Sequence, residues 1–118
     1  MELRLKALAE SEHGLVELNN CKLPARTSFK VAKVINIIAK EIELFNQAKI
    51  KKAEELGDKQ DDGTYKIREE NIDKFRKEID ELLNTKVDLE FSQINLKELS
   101  DVSISPSAIR SLGSILTE

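Results

Sequence analysis

The residues best spaced for chemistry lie between Asp58 and Glu69. Counted from Asp58 as the first position of a helix-flanked calcium loop, Gln60 falls at the third, Asp62 at the fifth, Gly63 at the sixth and Glu69 at the twelfth. Calcium takes hard oxygen ligands at such spacings, a glycine for the sharp turn and both oxygens of a closing glutamate. Two positions dissent: Gln60 replaces the usual acid or asparagine, and Lys66 puts a cation at the ninth position. A solvated acidic turn is the competing reading and the favoured one, so no cofactor is expected.

His13 is the only histidine and Cys21 the only cysteine. The common zinc centres need several such ligands, and a cysteine nucleophile with a histidine base needs a third group to orient it. The acid pairs Glu54/Glu55, Asp61/Asp62 and Glu69/Glu70 have no aromatic cluster to form a pocket around them, and the chain has no glycine-rich phosphate loop. An enzyme is therefore not expected. Lys30, Lys33 and Lys40 share one helical face, with Arg26 just before it, and Lys49, Lys51 and Lys52 form a second cluster. Such rows can follow a phosphate backbone. Interleaved Glu41, Glu43, Glu54 and Glu55, with no stacking aromatics beside the cations, favour an ordinary charged surface.

The element that must position these groups is the stretch Thr27 to Gly57. It has no proline or internal glycine, and Val31, Ile35, Ile38, Ile42 and Phe45 recur in alternating steps of four and three. That spacing predicts an amphipathic helix over about 28–56. Thr27 or Ser28 is the expected cap at its start, and Gly57 the expected left-handed stop. About thirty residues at ~1.5 Å each make a rod of roughly 45 Å, longer than a compact domain of this size is wide. From Val31 to Phe45 the apolar positions cover well over half the circumference, more than one neighbouring helix shelters. The surplus, carried by Val34, Ile37 and Leu44, is the expected partner-binding face. Beyond Phe45 the stripe thins among lysines and glutamates into a solvated arm.

Periodicity returns with Ile72, Phe75, Ile79 and Leu82, which predicts a second helix over about 68–84. A short link makes the two antiparallel, with Phe75 near Ala48 to Ile50 and Leu82 near Ile38 to Ile42. Residues Leu3 to Asn19 read as a helix interrupted near Gly14, although Leu3, Leu5 and Ala7 also alternate like a strand. Val87, Leu89 and Phe91 alternate as a strand whose mate is the N-terminal segment, Ser103 to Ile104, or another chain. Ser105-Pro106 opens a final helix with Ala108, Ile109, Leu112, Ile115 and Leu116 on one side, expected to dock on the long helix. The fold expected is mainly α: a single domain over 1–118 built on a long antiparallel hairpin, with an N-terminal helix, one short strand and a C-terminal helix at its base (strand and helix within 87–116).

Composition agrees with that class. Charged residues are 35% and aromatics 4%, and the net charge is only −3. Helical and coiled-coil chains have this make-up, whereas nucleic-acid binders usually show a basic excess. No apolar run is long enough to span a bilayer, and the first residues lack the continuous apolar core of a signal peptide. With a single cysteine, the cytoplasm is the expected compartment.

Lys22-Leu23-Pro24, then Ser28-Phe29-Lys30-Val31-Ala32-Lys33, a long helix, an Asp-Gly loop, a second helix and the ending Ile104-Ser105-Pro106 resemble a family of small uncharacterised proteins of phages and prophages of Gram-positive bacteria. The resemblance implies a phage-encoded accessory protein in the host cytoplasm. It brings no catalytic residues. The expected function is a non-enzymatic interaction or assembly protein acting through a self-associating hairpin, a homo-oligomer whose partners are itself, a host protein or a virion protein. The alternative is a counter-defence binder of nucleic acid or a small anionic nucleotide through Lys30, Lys33 and Lys40; a calcium-loop switch is third.

Overall fold

The computed structural model describes residues 1–118, and the chain is mainly helical. Strand β1 (Glu2–Arg4) leads into α1 (Leu5–Asn19), which is followed by α2 (Ala25–Leu56), β2 (Gly57–Lys59) and β3 (Tyr65–Ile67). A 3-10 turn then opens α3 (Ile72–Leu83), and β4 (Lys86–Asp88), β5 (Ile94–Asn95), α4 (Pro106–Leu112) and β6 (Leu116–Thr117) complete the order. The strands form three small pairs: β1 antiparallel to β4, β2 antiparallel to β3, and β5 parallel to β6.

One core gathers Leu5, Leu8, Leu15 and Leu18 of α1, Val31, Val34 and Ile38 of α2, and Leu89, Ile94, Leu99, Leu112 and Ile115 from the C-terminal third. All of α2's share lies in its first half. No residue from Ala39 to Glu55 is buried, so the second half is an arm flanked by α3, and the molecule measures 52 × 29 × 22 Å. The solvated arm expected from the thinning stripe is therefore present.

Several local readings need correction. Helix α2 starts at Ala25, earlier than expected, with no side-chain cap; the Ser28 amide donates to the Pro24 carbonyl at 2.9 Å. Proline at the helix entrance removes one orphan amide, so a hydroxyl cap is not needed there. Gly57 does not take the left-handed conformation. Its backbone is extended, and the residue is needed for space: a Cβ there would lie 2.5 Å from the Lys66 carbonyl oxygen. The polar link is a β-ribbon with the expected Asp62-Gly63 turn at its tip, and α3 starts four residues later than expected, at Ile72 in place of residue 68. Asn71 Nδ2 donates to the Leu56 carbonyl at 3.1 Å, and Lys52 reaches Glu78 at 4.0 Å. The antiparallel register accordingly slides toward the ribbon, and Leu82 shares a furrow with Ala48 instead of Ile38 to Ile42.

The two ambiguous ends resolve each other. Leu3 pairs with Val87 across β1 and β4, so the strand reading holds for Glu2–Arg4 and the helix reading from Leu5 onward. Gly14 does not interrupt α1. It is where α4 comes closest, because an added Cβ would meet Leu112 Cγ at 2.5 Å and the Ala108 carbonyl oxygen at 2.6 Å. The final helix thus docks chiefly on α1, and its Leu112 joins Val31, Val34 and Ile38 of α2 in the shared core. It is shorter than its apolar stripe suggested, because Gly113 at φ +48 turns the chain so that Ile115 enters the core and Leu116 pairs with Ile94.

At Gly14 two effects oppose each other. Alanine is the better helix former by ~1 kcal/mol, whereas overpacking a dry contact costs about 1–3 kcal/mol. The obstruction includes backbone, so overpacking wins. Gly14→Ala is expected to lower unfolding stability by about 1–2 kcal/mol in urea denaturation, and a stability gain would show that α4 does not press on α1 here.

Candidate functional site

The calcium arrangement does not form. In the β-ribbon, Asp58 lies opposite Lys66, and its Oδ1 sits 3.7 Å from Arg68 Nη1. Gln60 Nε2 donates to the Asp58 carbonyl oxygen at 2.9 Å. Asp62 Oδ1 accepts from the Thr64 hydroxyl at 2.6 Å and the Thr64 amide at 3.0 Å, and these bonds hold its carboxyl below the ordinary 3.8. Glu69 lies apart, in the 3-10 turn before α3. A strand pair sends successive side chains to opposite faces, whereas a calcium loop wraps them inward. No three His, Cys, Asp or Glu side chains gather into a metal set anywhere in the chain.

The other reactive groups also have structural partners. Cys21 Sγ donates to the Glu17 carbonyl at 3.3 Å, and His13 Nε2 lies 3.4 Å from Ser107 Oγ, so the two do not meet. Glu17 reaches across to the start of α4: its Oε2 accepts from the Ser105 amide and its Oε1 from the Ser105 hydroxyl, both at 2.8 Å. The Ser105 amide first and the hydroxyl second hold the Glu17 carboxyl below its ordinary 4.5. Ser105 Oγ itself accepts from the Ala108 amide and caps α4. Tyr65 donates to Glu54 at 3.1 Å, and that bond pushes the phenol above its ordinary 10.0.

Of the expected anion-binding lysines, Lys30 and Lys33 line one concavity and Lys40 does not. Lys30 is engaged by Glu98 at 2.9 Å, while Lys33 lies over the Phe29 ring, 4.8 Å from its centroid. Neither Lys33 nor Lys40 is in an ion pair, and the same is true of Arg26 and Lys51. Arg26, Phe29, Lys30, Lys33 and Ile37 line that concavity, of about 570 Å³, with Phe91 and Glu90 from the connector after β4. Aromatic rings therefore do stand beside these cations, contrary to the reading from sequence. Phe29 was visible one turn before Lys33, whereas Phe91 arrives only through the tertiary fold.

The expected partner-binding face also divides. Val34 is only 1% exposed and belongs to the core with α1 and the C-terminal third. Ile37 is half-buried, and Leu44 is 53% exposed. The largely apolar furrow lies on another side of α2, against α1. It encloses about 550 Å³, and its walls include Leu15 and Val16 of α1 and Ile35, Ala39, Ile42 and Ile50 of α2, with Asn46 among them. Glu12, Glu43 and Gln47 provide its polar edge. Val16 is 57% exposed and Ile50 52%, so the furrow ends in open apolar surface at both helices. Its signal was present in sequence as Ile35, Ala39, Ile42, Asn46 and Ile50 at helical spacing, but the asparagine and alanine weakened the stripe.

No protein-family model matches this chain, and neither a curated protein nor a solved structure matches it. No helix is long and apolar enough to cross a membrane.

The Glu17 clamp has a defined pH signature. A carboxyl held low in the folded state contributes stability above its unfolded value near 4.5, and this is lost as pH falls through the lower folded value. The melting-temperature gap between the parent and Glu17→Gln should be widest above about pH 5 and close on acidification. A gap independent of pH would remove the charge from this account.

Proposed function

We propose that this chain is a non-enzymatic interaction protein whose furrow between α1 and α2 receives an amphipathic helix. The observation that carries the reading is the furrow itself: an apolar slot of about 550 Å³ that runs along two helices and is flanked by polar residues. Grooves between helices accept a third helix through anchors spaced three, four and seven residues apart. An accessory role in assembly, with a further copy of the chain or a phage or host protein as partner, fits this mode. The acidic edge residues Glu12 and Glu43 favour a basic partner.

A second reading, sequestration of a nucleotide or nucleic acid, is supported by the concavity holding Arg26, Phe29 and Lys33. Bases stack on exposed aromatics while cations meet phosphates. The net charge of −3 and Glu90 inside the concavity weigh against it.

The first reading is tested with a lysine-bearing amphipathic helical peptide titrated into isotopically labelled protein. Saturable NMR shifts are expected at Val16, Ala39, Asn46 and Ile50, and Val16→Glu should weaken binding about tenfold or more, ~1.4 kcal/mol. Shifts confined to other surfaces, or affinity untouched by Val16→Glu, would refute it.

A further inference from the structure

Helix α2 presents two docking faces of opposite charge, and we propose that they fit one another: the basic stripe of one copy seats in the acidic-edged furrow of the next. This deepens the reading of the furrow as a helix-binding slot and names its occupant as a second copy of the chain.

The basic stripe carries Arg26, Lys33 and Lys40 at every seventh residue, and Lys51 beyond them. None of these four is in an ion pair. Between them stand Phe29, 64% exposed, half-buried Ile37 and exposed Leu44. Ile37 and Leu44 are two helical turns apart, so they project side by side as a pair of anchors. At about 100° per residue, Leu44 and the furrow residue Asn46 point about 160° apart around α2. One rod thus offers apolar surface on nearly opposite sides.

Charge decides how such surfaces pair. The furrow is lined by two carboxylates, Glu12 and Glu43, and by no cation. A two-fold contact joins a patch to itself, so furrow against furrow would bring carboxylates together, and stripe against stripe would bring ammonium groups together. Like charges across an interface disfavour those pairings. Stripe against furrow joins apolar to apolar surface and opposite charges at the edges. Glu90, beside Lys33, is the one acid in the concavity at the head of the stripe. Because the two faces lie on opposite sides of a helix, each added copy leaves one furrow and one stripe free. Association is therefore head to tail, growing past a dimer into a chain or a closed ring.

Sedimentation of the full chain over a range of concentrations tests this, using two charge-reversed variants. One is Lys33→Glu/Lys40→Glu, which removes the stripe, and the other is Glu12→Lys/Glu43→Lys, which removes the furrow edge. The parent should sediment progressively faster with concentration, and less so at high salt. Each variant alone should be monomeric with the parent's helical circular dichroism. An equimolar mixture should regain the parent's concentration-dependent association, because the first variant's acidic furrow meets the second's basic stripe and the first's reversed stripe meets the second's reversed furrow with the charges exchanged. If a double variant fails to fold, Lys40→Glu and Val16→Arg replace the two. A concentration-independent dimer, association that survives both variants, or a parent monomeric throughout would overturn the proposal. So would an oligonucleotide bound through Lys33 and Lys40 while self-association persists, since the stripe would then belong to a polyanion. In a monomeric parent, peptide binding at Val16 and Ile50 would still uphold the furrow reading, whereas its loss would end both.

Discussion

Val31, Val34 and Ile38 are the places where α2 is fully dry, and they fall within its first half. A helix of 32 residues extends about 48 Å, while a chain of this size supports only one modest core. The core cannot follow the rod to its end. Everything else in the molecule responds to that mismatch: α1 and the C-terminal third enclose the first half, and α3 with its ribbon flanks the second. An arm with no buried residue from Ala39 to Glu55 remains folded because α2 is one continuous hydrogen-bonded helix anchored in the core. Tertiary packing grips the rod at both ends, since beyond the arm Leu56 is again buried and its carbonyl accepts from Asn71 Nδ2 and the Arg68 amide.

The core is closed by contacts distant in sequence. Gly14 lets Leu112 and the Ala108 carbonyl approach α1 within the distance a methyl group would occupy, and Glu17 receives the first free amide and the hydroxyl of Ser105. Ser111 adds a bond in each direction, accepting from the Gly14 amide at 2.9 Å and donating to the Glu10 carbonyl at 2.5 Å. One helix face thus holds α4 by shape, charge and hydrogen bonding together. The β1/β4 and β5/β6 pairs satisfy backbone at the chain ends that short segments cannot satisfy alone.

The surfaces left over are those an interaction protein would use. Some polar groups are matched locally: Asp62 by Thr64, Lys30 by Glu98, Tyr65 by Glu54. Along α2 lie an apolar furrow on one side and a row of cations with exposed apolar side chains on the other. Both faces belong to the same rod, which connects their function to its excess length.

Periodicity alone determined that α2 exists, that it outgrows its core and that its second half is an arm, because a hydrophobic repeat is a local property of the chain. It also identified the Ser105-Pro106 helix start and a strand at Val87, although that strand stops at Asp88 short of Leu89 and Phe91 and is one of six. It did not determine which apolar side chains stay dry. Val34 and Leu44 belong to the same sequence stripe, yet Val34 joins the core with α1 and the C-terminal third while Leu44 is left exposed. Nor did spacing decide the loop: Asp58, Asp62 and Glu69 suit a calcium site in order, but the fold puts Asp58 in a paired strand, Asp62 in the turn at the ribbon's tip and Glu69 in the 3-10 turn before α3. A furrow needs two walls, and Val16 meets Ile35, Ala39 and Ile50 only after the chain has turned at Pro24, so that surface was decided by tertiary structure alone.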